Sequence, residues 1–168
     1  MNPSFIKKSR SAIMLLAAGL ITTTSFANSE ARLDTVKSVY AHALYDIQTT
    51  GDYEAAEVLY PFANRDLRYA IDLIQSDSGV DDEGALTECH QAGWGLNLLS
   101  SNGWGLEEAT ALDFTELGGG DVRVRIDFDG GYDIKDYSLL CNGNSCEISD
   151  SIDVDGVSAL ANIMQMCL

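Results

Sequence analysis

From Thr110 onward the chain alternates apolar and polar residues in blocks separated by glycine. Val122, Val124, Ile126 and Phe128 are interleaved with Arg123, Arg125 and Asp127. That period of two belongs to a strand with one face in a core and the other in water. Gly118-Gly119-Gly120 precedes this block and Gly130-Gly131 follows it. Thr110, Leu112 and Phe114 predict a strand ahead of the first turn. Strands from about Tyr132 to Cys141 and from Cys146 to Val154 follow the second, joined at Asn142-Gly143. The pattern is an antiparallel meander of about four strands.

The residues before the meander carry a different period. Leu33, Val36, Tyr40, Ala43, Leu44 and Ile47 recur at spacings of three and four. This predicts a helix capped by Asn28 or Ser29 and stopped at Gly51. A second helix is expected from Asp52 to Tyr60, ending at Pro61. A third starts near Asn64, with Leu67, Ala70, Ile71 and Ile74 on one face. Residues 85–106 resist assignment, because Gly93 and Gly95 interrupt a helical pattern. They contain an echo, Gly93-Trp94-Gly95-Leu96 and Gly103-Trp104-Gly105-Leu106. An amphipathic helix over Val157–Cys167 closes the chain. The expected fold class is therefore α+β, with N-terminal helices packed on one face of a curved antiparallel sheet and a short C-terminal helix.

The first 27 residues have the order of a secretory signal. Lys7, Lys8 and Arg10 precede an apolar stretch, and Ser25-Phe26-Ala27 presents small residues at the two recognition positions. The stretch Ala12–Ile21 is half of the roughly 20 residues that a spanning helix needs. Residues 1–27 are thus expected to be a cleaved signal peptide, with 28–168 a single domain in the periplasm or the medium.

Export bears on the cysteines. Cys89, Cys141, Cys146 and Cys167 are an even set in an oxidising compartment. Cys141 and Cys146 flank the turn sequence Asn142-Gly143-Asn144-Ser145, which can bring strand ends within bonding distance. Pairing them leaves Cys89 with Cys167. No Cys-x-x-Cys pair occurs and only His42 and His90 are present, so a zinc site is not expected.

All 26 acidic residues lie after Ala27, against seven basic ones, a net charge of −19 for residues 28–168. Such a field repels nucleic acid and anionic lipid and attracts cations.

The layout of a long first helix, two shorter helices, a meander and a C-terminal helix resembles the NTF2-like (cystatin-like, cone-shaped) superfamily. Within it the chain is similar to small exported bacterial domains of the DUF3828 type. Val39-Tyr40 in the first helix and Arg65-Asp66-Leu67-Arg68 opening the third carry the resemblance. So does the ending Ile148-Ser149-Asp150-Ser151-Ile152 followed by Ser158-Ala159-Leu160. The pattern departs at Cys146, where that family would place a tryptophan. The resemblance implies a fold rather than an activity, because this architecture hosts enzymes and inert binding domains alike.

Several residues invite chemistry. Strict alternation through Ile148, Asp150, Ile152 and Val154 puts Asp150 on the apolar face. There it could be a pocket acid with a raised pKa, or an acceptor of backbone N–H groups or of an arginine. Trp94 and Trp104 could form an aromatic platform for a partner or anchor a loop-rich segment in the core. Cys89-His90 suggests a thiol beside a base, but a bridged Cys89 would be inert, and His42 reads as a boundary residue. Asp127-Phe128-Asp129-Gly130 and Ser151–Gly156 hold fragments of calcium-loop spacing, without the full ligand set. No common hydrolase, zinc-protease or nucleotide-binding pattern is present. No cofactor or metal is expected.

These features point to a non-enzymatic, acidic interaction protein with a basic protein as partner, an inhibitor or immunity protein being one form. The alternative is a small-molecule pocket or modest enzyme lined by Tyr40, Tyr45, Phe114, Phe128 and Asp150.

Overall fold

The structure is a computed structural model that describes residues 24–100 and 104–168. Residues 1–23, most of the expected signal peptide, lie outside the described residues, as does Gly103 of the second echo.

Among the described residues five α-helices and four strands make an α+β fold. Helix α1 spans Thr24–Thr50, α2 Ala55–Leu59, α3 Arg65–Ser76 and α4 Glu88–Ala92. Strands β1 (Ala111–Glu116), β2 (Asp121–Phe128), β3 (Gly131–Asn142) and β4 (Ser145–Ile152) follow, then α5 (Ala159–Met166). The sheet is an antiparallel meander in the order β1-β2-β3-β4. Helix α1 packs against all four strands, burying Val36, Val39, Tyr40 and Ala43 against Val122, Val124 and Ile126.

Local chemistry accounts for the boundaries. Gly51 ends α1 with φ +90°, a conformation that glycine adopts without steric cost. Asn64 caps α3 by accepting Leu67 N–H at 2.9 Å. Asn28 and Ser29 lie inside helix α1 and do not cap it; the Ser29 hydroxyl donates instead to Glu116 on β1. Arg32 bonds the same carboxylate at 2.7 Å, and these two donors hold Glu116 below the usual carboxylate pKa. Helix α2 is shorter than expected: it begins at Ala55 rather than Asp52, and at its other end Tyr60-Pro61-Phe62 tightens into a 3₁₀ turn.

The alternation of β4 breaks at a bulge. Leu139 pairs with Ile148 and Ser138 with Asp150, which leaves Ser149 without a ladder partner. One extra residue exchanges the faces of everything after it. Ile148 and Ser151 consequently share the buried face, while Asp150 and Ile152 turn outward. The expectation that Asp150 faces the core is corrected for this reason.

Both disulfides form. Cys141 and Cys146 are directly opposed across β3 and β4, with Cα atoms 4.1 Å apart. The turn between them places Gly143 first, at φ +64°, so its central residues are Gly143-Asn144 rather than Asn142-Gly143. Cys89–Cys167 ties α4 to the residue after α5 across a sequence separation of 78. The separation is 5 for the hairpin bridge. Chain entropy assigns about 4–5 kcal/mol to the first and about 2 kcal/mol to the second. Urea denaturation of the Cys89→Ser/Cys167→Ser and Cys141→Ser/Cys146→Ser double variants should show the first losing about 2 kcal/mol more than the second.

Candidate functional site

Residues 93–100, which follow α4, lie against the sheet without α-helix or strand. They run through a 3₁₀ turn at Gly93–Leu96, and Leu96 and Leu98 are fully buried. Backbone groups in such a segment need partners that a helix would have supplied. The buried face of β3 supplies them. Reading back from Cys141 and Leu139, that face carries Tyr137, Lys135 and Asp133.

Lys135 is 1% exposed, and its Nζ donates to Gly95 O at 2.8 Å. The Ser151 hydroxyl donates to the same oxygen at 3.4 Å. Asp133 accepts Ser100 N–H at 2.7 Å, and the Ser100 hydroxyl donates to Ile134 O at 2.9 Å. The Tyr40 hydroxyl donates to Leu98 O at 3.0 Å and lies 3.2 Å from the Tyr137 hydroxyl. Tyr40 has one hydrogen, which Leu98 O takes, so Tyr137 donates to Tyr40. Burial pushes both phenols up. Burial also lowers the Lys135 amine, against the opposing fields of Asp153, Asp133 and Asp150. These internal hydrogen bonds pin residues 95–100.

The glycines of the echo serve the same packing. A Cβ on Gly95 would stand 3.1 Å from the Ala159 side chain on α5, and one on Gly93 3.1 Å from Ile74 on α3. Leu96 and Leu106 are the buried anchors of the two copies. Trp94 is 54% exposed, whereas Trp104 stacks on Phe128 at 4.7 Å and 13°. The Trp104 ring also covers the β2–β3 turn, 3.0 Å from where a Cβ on Gly131 would sit. The two tryptophans do not form one platform.

The five pocket candidates are not brought together. Tyr40 and Phe114 meet edge to face at 5.6 Å. Phe128 belongs with Trp104, and Tyr45 is 63% exposed on α1. Asp150 accepts Leu160 N–H at 3.0 Å, in the first turn of α5, and Ser151 N–H at 2.8 Å. Cys89 is bridged. Asp153 accepts Asp155 N–H and Val157 N–H and closes its own turn. Among the described residues, no group of three or more His, Cys, Asp or Glu side chains is arranged to hold a metal.

The remaining candidate is the acidic surface. Its concavities are open depressions. One of about 570 Å³ lies between α1, the Tyr60–Phe62 turn and the β3–β4 hairpin. Another, of about 550 Å³, is lined by Asp46, Asp52, Glu54 and Glu57 at the far end of α1. Among the described residues no helix is long and apolar enough to cross a membrane. Two disulfides suit an extracellular or periplasmic setting. No family model, curated protein or solved structure matches the chain.

Lys135→Met keeps the bulk of the side chain and withdraws the main donor from Gly95 O, so it should cost about 1–3 kcal/mol. The folded amine holds its proton less tightly than the unfolded one. Wild type should therefore gain on the variant as pH rises toward about 10.5. Urea midpoints across that range test this, and a variant as stable as wild type at every pH would refute the pinning role. The phenols act in the opposite sense. Their raised values hold stability below about pH 10 that is lost above it. Phenolate absorbance should show Tyr40 and Tyr137 ionising only as the fold opens.

Proposed function

We propose that this chain is an exported interaction protein of the periplasm that binds a cationic protein through its acidic surface. An inhibitor or immunity protein for a basic enzyme is the concrete form that fits. The supporting observation is how the fold uses its few positive charges. Arg32, Arg65, Arg68, Arg123 and Arg125 each lie within 3.7 Å of a carboxylate oxygen. Lys135 is buried. Among the described residues only Lys37 is an exposed base outside such a pair. The excess of acid therefore faces outward with little opposing charge, which steers a basic partner and speeds its encounter.

The pocket alternative has less support, because Tyr40 and Phe114 pack on each other and Tyr40 spends its hydrogen on Leu98 O. The NTF2-like resemblance rests on a few residues and mainly on the layout, which among the described residues is four α-helices ahead of a four-stranded meander and one after it.

The test passes a cell-envelope extract over the immobilised, oxidised protein and over an unrelated protein of equal negative charge. One basic protein held only by the first, in stoichiometric amount, is expected. Rebuilt from pure components, the complex should lose association rate steeply between low salt and about 0.15 M. Association that ignores salt would overturn the electrostatic reading.

A further inference from the structure

We infer that strand β1 is where the partner docks, by adding an extended segment of its own chain to the open edge of the sheet. The inference rests on the cationic-partner reading and names its site. Strand β1 ends the sheet on one side and β4 on the other. The fold covers the β4 edge. Cys146 O accepts the Thr35 hydroxyl at 3.3 Å, Ile148 O accepts Asn64 N–H at 2.8 Å, and Ile152 bridges to Ser158. The β1 edge is left bare. Leu117 N–H, just past the strand, donates to Asp121 O at 2.7 Å. Hydrogen-bonded pairs recur at every second residue of an antiparallel ladder, so Thr115, Asp113 and Ala111 direct their N–H and C=O groups to β2. Those of Leu112, Phe114 and Glu116 point to the open edge. Among the described residues none of these six groups bonds another part of the chain. Helix α1 reaches β1 through side chains, Ser29 and Arg32 at Glu116 and Tyr40 at Phe114.

A row of unpaired main-chain groups is a template for another strand. The side chains of β1 define what that strand carries. Leu112 and Phe114 are half-buried at the rim of the core, so the incoming strand continues this face with apolar side chains. On the opposite face Asp113 is exposed, and Arg125 across from it is held by Asp127 at 2.8 Å. Residues 106–116 hold four acids and no base. Basic side chains at the alternate positions of the incoming strand lie beside Asp113. The occupant is thus an extended segment of the basic partner, apolar on one face and basic on the other. A second copy of this chain would bring one charge of −19 against another, and the two would repel.

The experiment follows main-chain amide exchange by NMR in the oxidised protein, with and without a heptapeptide that alternates lysine and valine. With peptide bound, the amides of Leu112, Phe114 and Glu116 should exchange about tenfold more slowly or better, and those of Ala111, Asp113 and Thr115, already bonded to β2, should change less. A heptapeptide alternating lysine and proline has the same charge and cannot pair as a strand. It should bind more weakly and protect none of these amides. Binding of the valine peptide without that protection would overturn the edge while leaving a general acidic attraction. Equal protection by a threonine–valine peptide would overturn the basic character of the partner and leave the edge. Protection that grows with protein concentration alone would give the edge to a second copy and overturn the proposal. A protein that binds neither basic peptide at low salt would overturn the cationic-partner reading, and the docking mode with it.

Discussion

The bond from Lys135 Nζ to Gly95 O carries the central tension of this fold. An irregular segment lies in the core, where each backbone carbonyl left without a donor costs about 1–3 kcal/mol. A helix would satisfy those groups by itself, but Gly93 and Gly95 weaken a helix there. The sheet supplies what the segment lacks, at the expense of burying an amine. Desolvating an ammonium costs several kcal/mol. The negative fields of Asp133, Asp150 and Asp153 offset part of this, and burial still prevails, since the amine is held below its ordinary pKa. A buried lysine is tolerated here because the segment would otherwise present bare carbonyls to an apolar sheet.

The bulge at Ser149 and helix α5 belong to the same arrangement. By exchanging faces, the bulge sends Ser151 inward to share Gly95 O with Lys135 and sends Asp150 to the first turn of α5. A carboxylate at that end meets exposed N–H groups and the positive end of the helix dipole. Helix α5 then lies on Gly95 through Ala159, closely enough that a side chain at 95 would collide. Cys89–Cys167 fixes the far end of α5 to α4. One extra residue in a strand thus positions the closing helix and helps satisfy the segment beneath it.

Much of the fold was legible because its signals are local. Alternation in β2, the Asn64 cap and the turn between Cys141 and Cys146 each depend on a few neighbouring residues. The polar buried cluster was not legible in the same way. Lys135 and Asp133 stand in phase with Tyr137, Leu139 and Cys141, so parity alone would have placed them inside. Hydropathy argues for the outside, and only the needs of a segment 40 residues away decide between the two. Ser149 gave no signal, since Ser149-Asp150-Ser151 reads equally well with or without a bulge. Alternation alone sends Asp150 inward and the bulge overrides it, while Tyr45 is exposed on α1.

The acids divide by role. Glu116, Asp133, Asp136 and Asp150 are engaged in bonds that hold strands, loops or helix ends in place. Glu30, Asp34, Asp52, Glu54 and Glu57 line open depressions and contribute nothing comparable to the packing. A surplus of like charge destabilises a compact chain through self-repulsion. Solubility alone needs a net charge of only about 2–8 for a small domain, and −19 lies well beyond that. Two disulfides and a filled core let the fold carry this repulsion. The acids that take no part in the packing are the ones that the proposed cationic partner would meet.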